Sequence, residues 1–346
     1  MSRDDREEET SVSDPSSASG RVDLNARTQV ISLDGDAPIG RPALSPQSAF
    51  QRVYMKMRAA AGEAAPTAVL AAGVDATGTL VAQITLEPGR VLTIGRHTQC
   101  GLRLPQRDVS LRHLVALVTD GATRLWDLKS GQPFRTEDGA ACAAVIAEGP
   151  LFVTVGSYVV MFVPKRAVGA GIWPDTASAG WDALVPRQFL DRRDAPPPGE
   201  RTPRAPSWSR EDSVAARSIS RVTRVGAPAL LGAEAVLRGP VWAELAVEDD
   251  AGVAKHKLSA EQVDRGVLLG RSSRCQVGLD TDDTLSRVHI LVVRVGDEVW
   301  AIDTASTNGT SRNGASIEAV VLRDRDALQL ASVATMHWKR LVHAAA

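Results

Sequence analysis

The chain has 346 residues, 44% hydrophobic and 23% charged, with 40 Lys and Arg against 41 Asp and Glu. Its length suits about two soluble globular domains, and its balanced charge excludes a wholly basic nucleic-acid-binding surface. No apolar run reaches the roughly 20 residues of a membrane span, and Cys100, Cys142 and Cys275 are too few and scattered for a disulfide framework or zinc site.

Those features predict a cytoplasmic protein without metal or other cofactor, nucleic-acid partner or membrane insertion. The charged start, Met1 to Glu9, holds no apolar segment of a secretory signal. Residues 1–66 read as a disordered acidic and Ser-rich tail, because residues 2–20 offer almost nothing to bury. Helix formers in 45–64 predict one short isolated helix within it. From 67 to 165, short Val-, Leu- and Ile-rich runs alternate with Gly and Asp turns, the pattern of an antiparallel β-sandwich or barrel. Residues 166–238 read as a linker rich in Pro, Arg and Ser, stiffened at Pro196-Pro197-Pro198. Trp173 and Trp181 either tuck back onto the first domain or belong to a short helix. The β pattern returns over 239–343, where Val288–Val295 reads as a strand leading through Gly296-Asp297 into a hairpin.

The two β regions are copies of one another in their landmarks. Gly95-Arg96, Ser110-Leu111-Arg112-His113, Asp127 and Ser130 recur in the same order as Gly270-Arg271, Ser286-Arg287-Val288-His289, Asp303 and Ser306. Cys100 and Cys275 occupy equivalent places. The second copy continues Thr307-Asn308-Gly309-Thr310 and, later, Asn313-Gly314; the first has Gly131-Gln132-Pro133 in the corresponding place. This order of elements resembles the forkhead-associated (FHA) domain, closely in the second copy and in degenerate form in the first. The fold expected is therefore all-β: two FHA-type antiparallel β-sandwiches joined by a disordered linker and preceded by a disordered tail.

The residues suit an anion carried on a peptide. A phosphothreonine has about −1.5 to −2 charge and three acceptor oxygens. The planar fork of Arg271 can bond two of them, Ser286 can donate a hydroxyl, and Asn308 can grip the neighbouring peptide backbone. The resemblance adds Arg287 and Thr307 as contributors, and makes His289 a brace for the loops, with Gly270 and Gly309 as structural support. A lone Gly-Arg is usually a solvated turn, and Asn-Gly pairs are good turns in any case; here the whole constellation carries the reading. The first copy keeps Arg96, Ser110 and His113, so it is either a weaker phosphopeptide site or a pseudo-domain that packs against a partner or another copy. The cysteines read as small buried hydrophobes, and Trp126 and Trp300 as core or sheet-edge packing.

No P-loop, nucleophile elbow, kinase motif set or metal spacing is present in the sequence, so no enzymatic activity is expected. The resemblance implies a bacterial-type adaptor or scaffold that binds phosphothreonine-containing proteins downstream of a Ser/Thr protein kinase. Thr10, after Glu7-Glu8-Glu9, and Thr28, with Ile31 three residues on, are candidate phosphoacceptors for an intramolecular switch; Thr202 and Thr223 could serve likewise. The competing class is a structural assembly subunit, as in secretion machinery.

Overall fold

The computed structural model describes residues 43–119, 122–186, 188–194, 240–250, 252–279 and 283–341. Thr10, Thr28, Thr202, Thr223 and the triple proline lie outside the described residues.

Alternating apolar runs produce two antiparallel β-sandwiches. In the second, one sheet runs in the order Gly252–Ser259, Val241–Asp249, Ala334–Arg340, Ala327–Leu330, Thr310–Arg312, Ala315–Ile317. The facing sheet runs Val277–Gly278, Val267–Gly270, Ile290–Val295, Glu298–Asp303, Ala319–Leu322. The first region follows the same path, but as one continuous sheet. Its strand Ala141–Glu148 pairs with both Ala122–Asp127 and Phe134–Thr136, a corner that the second region divides between two short strands. Registers match as well: Leu114 lies opposite Asp127 as Ile290 lies opposite Asp303. Gly95 with Arg103, and Gly270 with Gly278, close equivalent short parallel ladders. The expected hairpin forms, with Val295 opposite Glu298, although its first strand starts at Ile290 rather than Val288.

Each sandwich has its own interior. Leu92, Ile94, Leu114, Phe134 and Phe162 are among the residues filling the first, and Leu245, Leu269, Ile290, Leu328 and Trp338 among those filling the second. The first region is also covered outside its core. In Val69–Val74 every residue is buried. Val69 and Ala71 face the sandwich interior, while Leu70, Ala72 and Val74 face outward, under the helix Pro46–Glu63. That helix starts at Ser45, whose hydroxyl accepts the Ser48 N–H at 3.2 Å, with Pro46 in its first turn. Phe50, Val53, Tyr54, Met57 and Ala61 form one apolar stripe at helical spacing. Trp173 and Trp181 close over it, and the Tyr54 hydroxyl donates to Pro174 O at 2.7 Å.

Two expected boundaries therefore change. The helix in 45–64 is part of the first domain and not an isolated element of a tail that ends at 66. A lone 18-residue helix of weak amphipathicity needs a partner face, and the outer face of the sheet supplies it. The segment assigned to a linker from 166 contains regular structure in its described residues. It carries the helix Ala177–Asp182 and the strand Gln188–Asp194, which pairs with Ala141–Glu148. Of the alternatives for Trp173 and Trp181, both hold: the indoles tuck back, and Trp181 lies in the short helix.

The described parts of both sandwiches belong to one compact unit. Val115, Leu117, Trp126 and Leu128 of the first pack against Leu268, Val288, Leu291, Val293 and Ile302 of the second, with Trp300 at the margin. The tryptophans read as core or edge packing thus lie at a domain–domain interface. Polar contacts frame it: Arg193 Nη1 donates to Asp264 O at 2.6 Å, and Arg274 Nη1 to Lys129 O at 2.8 Å.

Candidate functional site

Gly270 ends its strand against the loop that holds Ser286. A Cβ on Gly270 would stand 2.6 Å from Arg287 O and 2.9 Å from Ser286 O, so only glycine lets the two loops touch. The Arg271 N–H then donates to Ser286 O, and the Ser272 N–H to Arg287 O. This clamp orients Arg271 along the second loop: Nε donates to Leu285 O at 2.6 Å, and Nη1 meets Asp283 Oδ1 at 2.5 Å. Asn308 comes from a third loop and donates from Nδ2 to Thr284 O at 2.8 Å. Thr307 lies beside it, and its N–H donates to Ser286 Oγ at 2.9 Å. The backbone of 284–286 is thus a rail on which Arg271 and Asn308 are both hung, with the Ser286 and Thr307 hydroxyls 3.4 Å apart between them.

Asp283 is the acidic neighbour of Arg271. Its side chain is 98% exposed and that of Arg271 34%, so the pair is a surface one. Such pairs contribute little, and a doubly charged anion displaces a carboxylate readily. Arg287 is exposed at the same rim, while Ser286 is buried.

His289 is fully buried and braces two loops. Its Nδ1 accepts the Ser286 N–H at 3.3 Å, which leaves Nε2 to donate to Gly309 O at 3.1 Å. Burial pushes its pKa below the usual histidine value. The loop beyond is tied by Asp303, which accepts from the Ser306 N–H, the Ser306 hydroxyl and the Thr310 hydroxyl at 2.7, 2.5 and 2.6 Å.

The first pocket has the same scaffold with different contents. Gly95 meets the Leu111 carbonyl as Gly270 meets that of Arg287, and the Arg96 N–H donates to Ser110 O. His113 accepts the Ser110 N–H at Nδ1 and donates from Nε2 to Gln132 O at 2.7 Å. Burial lowers its pKa to about 4. Asp127 receives the Ser130 N–H and hydroxyl and a backbone hydrogen bond from Lys129, but Phe134 stands where the second copy has Thr310, so that hydroxyl donor is missing. Burial raises the Asp127 pKa to about 6. The Ser110 hydroxyl donates to Ser130 O, and Gly131 has no hydroxyl to match that of Thr307.

Cys100 and Cys275 sit at equivalent positions, with Sγ near Leu111 O and Arg287 O. Burial pushes both thiols up to about 11, so neither is a reactive thiolate at neutral pH. Among the described residues there is no cluster of acid, Cys or His side chains to hold a metal, and no helix long and apolar enough to cross a membrane.

One residue at the second pocket was quoted in the sequence motif without a role. Arg112, from the first sandwich, donates from Nε and Nη2 to Ala305 O at 2.8 and 2.6 Å. The same Nη2 lies 3.3 Å from Ser286 Oγ and 3.4 Å from Thr307 Oγ1. The available signal was a mismatch: Arg112 stands in the first copy where the second has apolar Val288.

Residues 267–331 match the FHA domain family model, a span that contains Arg271, Ser286, Arg287, His289, Thr307 and Asn308 but not Arg112. No curated protein matches the chain. Among solved structures, the chain is similar to the Rv1747 FHA-1 domain of Mycobacterium tuberculosis, with 21% identity and a TM-score of 0.25 over 29% of this chain and 97% of that one. It is similar to the FHA domain of CT664 from Chlamydia trachomatis, with 19% identity and a TM-score of 0.26 over 28% and 96% of the two chains. It is also similar to Mycobacterium tuberculosis EmbR, solved with a low-affinity phosphopeptide, with 18% identity and a TM-score of 0.25 over 40% of this chain and 34% of that one.

Proposed function

We propose that the second sandwich is a phosphothreonine-peptide reader, and that the protein is a cytoplasmic adaptor or scaffold in Ser/Thr kinase signalling. The observation that supports it best is the convergence of Arg271 and Asn308 on the 284–286 backbone, and of Thr307 on the Ser286 hydroxyl, within the FHA-matched span. In this reading Arg271 forks onto the phosphate once Asp283 swings away. The Ser286 and Thr307 hydroxyls donate to the same group, Asn308 holds the peptide backbone, and Arg287 adds charge at the rim. FHA domains are binding modules, and no chemistry is required of these residues beyond charge and hydrogen bonding. Capture should weaken as ionic strength rises, and as pH falls through the phosphate's second ionisation near about 6.

Phosphorylation of Thr10 or Thr28 by a kinase would make the tail a tethered competitor, since tethering raises effective concentration toward roughly millimolar. Equal affinity of tail-phosphorylated and unmodified protein for an outside peptide would remove this part.

A degenerate phosphothreonine-peptide library presented to the full chain, wild type and Arg271→Ala, tests the core of the reading. Retention by the wild type and its loss in the variant are expected; the same peptides held equally by both would discard it. A second reading, a structural assembly subunit, draws on the apolar packing between the sandwiches and on the missing hydroxyl of the first pocket. Under it, Arg271→Ala keeps its protein partner.

A further inference from the structure

We infer that the phosphate pocket is composite: Arg112 of the first sandwich is a second guanidinium for the phosphate held by the second sandwich. This rests on the reading of the second pocket as a phosphothreonine site.

Geometry places Arg112 there. Its Nη2 is within 3.3–3.4 Å of Ser286 Oγ and Thr307 Oγ1, the two hydroxyls assigned to the phosphate. Its anchor is the Ala305 carbonyl, which takes two hydrogen bonds from it. Ala305 adopts φ 60°, a left-handed conformation that costs a non-glycine residue energy. That conformation sits in the loop between Asp303 and Thr307, the loop Arg112 reaches across the interface to hold.

The charge of Arg112 is not neutralised. Every hydrogen-bond acceptor it has among the described residues is a neutral oxygen. Asp303, the acid whose field it feels, is already occupied by three donors. Arg287 adds a second positive field, and burial lowers the Arg112 pKa. Its Nη1 is uncommitted among the described residues. A partly buried cation, fixed beside two hydroxyls and lacking an ion partner among the described residues, is a ready site for an anion with several acceptor oxygens. A phosphate dianion would offset the desolvation of that cation and use the free donor.

The arrangement makes peptide capture depend on both sandwiches in their packed arrangement. It also gives the degenerate first copy a purpose that does not need its own pocket.

Full-length wild type, Arg112→Gln, Arg112→Lys and Arg271→Ala are titrated with library-selected phosphothreonine peptides. The second ionisation of the bound phosphate is followed by phosphorus NMR, and melting temperatures show which variants stay folded. Arg112→Gln should weaken binding about ten- to hundredfold, the usual range for a charge-assisted hydrogen bond. Arg112→Lys should weaken it less and serves as the measured variant if Arg112→Gln unfolds. Removing the guanidinium should also raise the bound phosphate's pKa, because a neighbouring cation favours the dianion. An affinity loss with an unmoved phosphate pKa assigns Arg112 to loop support and overturns the inference. Unchanged or tighter binding by Arg112→Gln, with Arg271→Ala inactive, overturns it and leaves the pocket reading standing; tighter binding would make Arg112 a plug. Loss in Arg112→Gln with Arg271→Ala unaffected sinks the pocket reading instead. No peptide held by any of the four proteins sinks both.

Discussion

The two pockets share a scaffold and differ in what it carries. Both close a glycine onto a serine loop, both brace that loop with a buried histidine, and both tether the next loop to an aspartate whose side chain is 10% exposed. In the second, the tethered loop ends in Thr307-Asn308-Gly309, and Gly309 has φ 75°. Pro133 stands at that place in the first, and proline cannot take a positive φ. The first loop is therefore barred from the same path, and its hydroxyl and amide positions hold Gly131 and Gln132. The framework is thus common to both copies where the loop residues differ, because it is held by backbone contacts and buried braces.

The largest test of that contrast is the pair Arg271→Ala and Arg96→Ala. The first should cost about tenfold to more than a hundredfold in phosphothreonine-peptide affinity by calorimetry, and the second almost nothing. Equal losses would mean the two pockets are equivalent. Gly270→Ala and Gly95→Ala should behave alike, each lowering stability by about 1–3 kcal/mol in thermal melts, because both put a Cβ against a carbonyl. A harmless Gly95→Ala would show that the first framework is not under the same constraint.

Acid stability separates the pockets next. His113 has a folded pKa of about 4, below its unfolded value, so its contribution is present above about pH 6.5 and lost as pH falls toward 4. Asp127 is raised to about 6, so the fold binds its proton more tightly than the unfolded chain and gains stability as pH falls from 6 toward 4. These oppose one another. Asp127→Asn removes only the second, so wild type should gain on the variant by roughly 1–3 kcal/mol over that window, read from melting temperature against pH. Parallel curves would refute the burial of a charged Asp127. The smallest effect is Thr307→Gly, which copies Gly131 into the second pocket and should weaken peptide binding about fivefold, the value of one hydroxyl hydrogen bond. An unaltered Kd would remove Thr307 from the site.

Much of this was legible in the residues. The alternation of short apolar runs announced two β-sandwiches, and the repeated Gly-Arg, Ser-x-x-His and Asp-x-x-Ser landmarks fall on matching loops of both. Each buried histidine bonds a Ser N–H on one loop and a carbonyl on another. What covers the outer faces was less visible. The run from Leu114 to Val118 is buried at every position, a sign of a strand covered on both sides, yet its cover comes from Leu268, Val288, Leu291, Val293 and Ile302 of the second domain. The helix at Pro46–Glu63 had the stripe to pack but no local indication of the sheet that receives it.

The sequence alone determined the fold class and the shared order of landmarks in the two β regions, since these follow from periodicity and spacing along the chain. Only the tertiary structure decided that Asp283 pairs with Arg271 and that Arg112 reaches the Ser286 and Thr307 hydroxyls. The reason is physical: periodicity reports which face of a strand is apolar, whereas the partner of a face or of a charge is set by long-range packing that leaves no local trace.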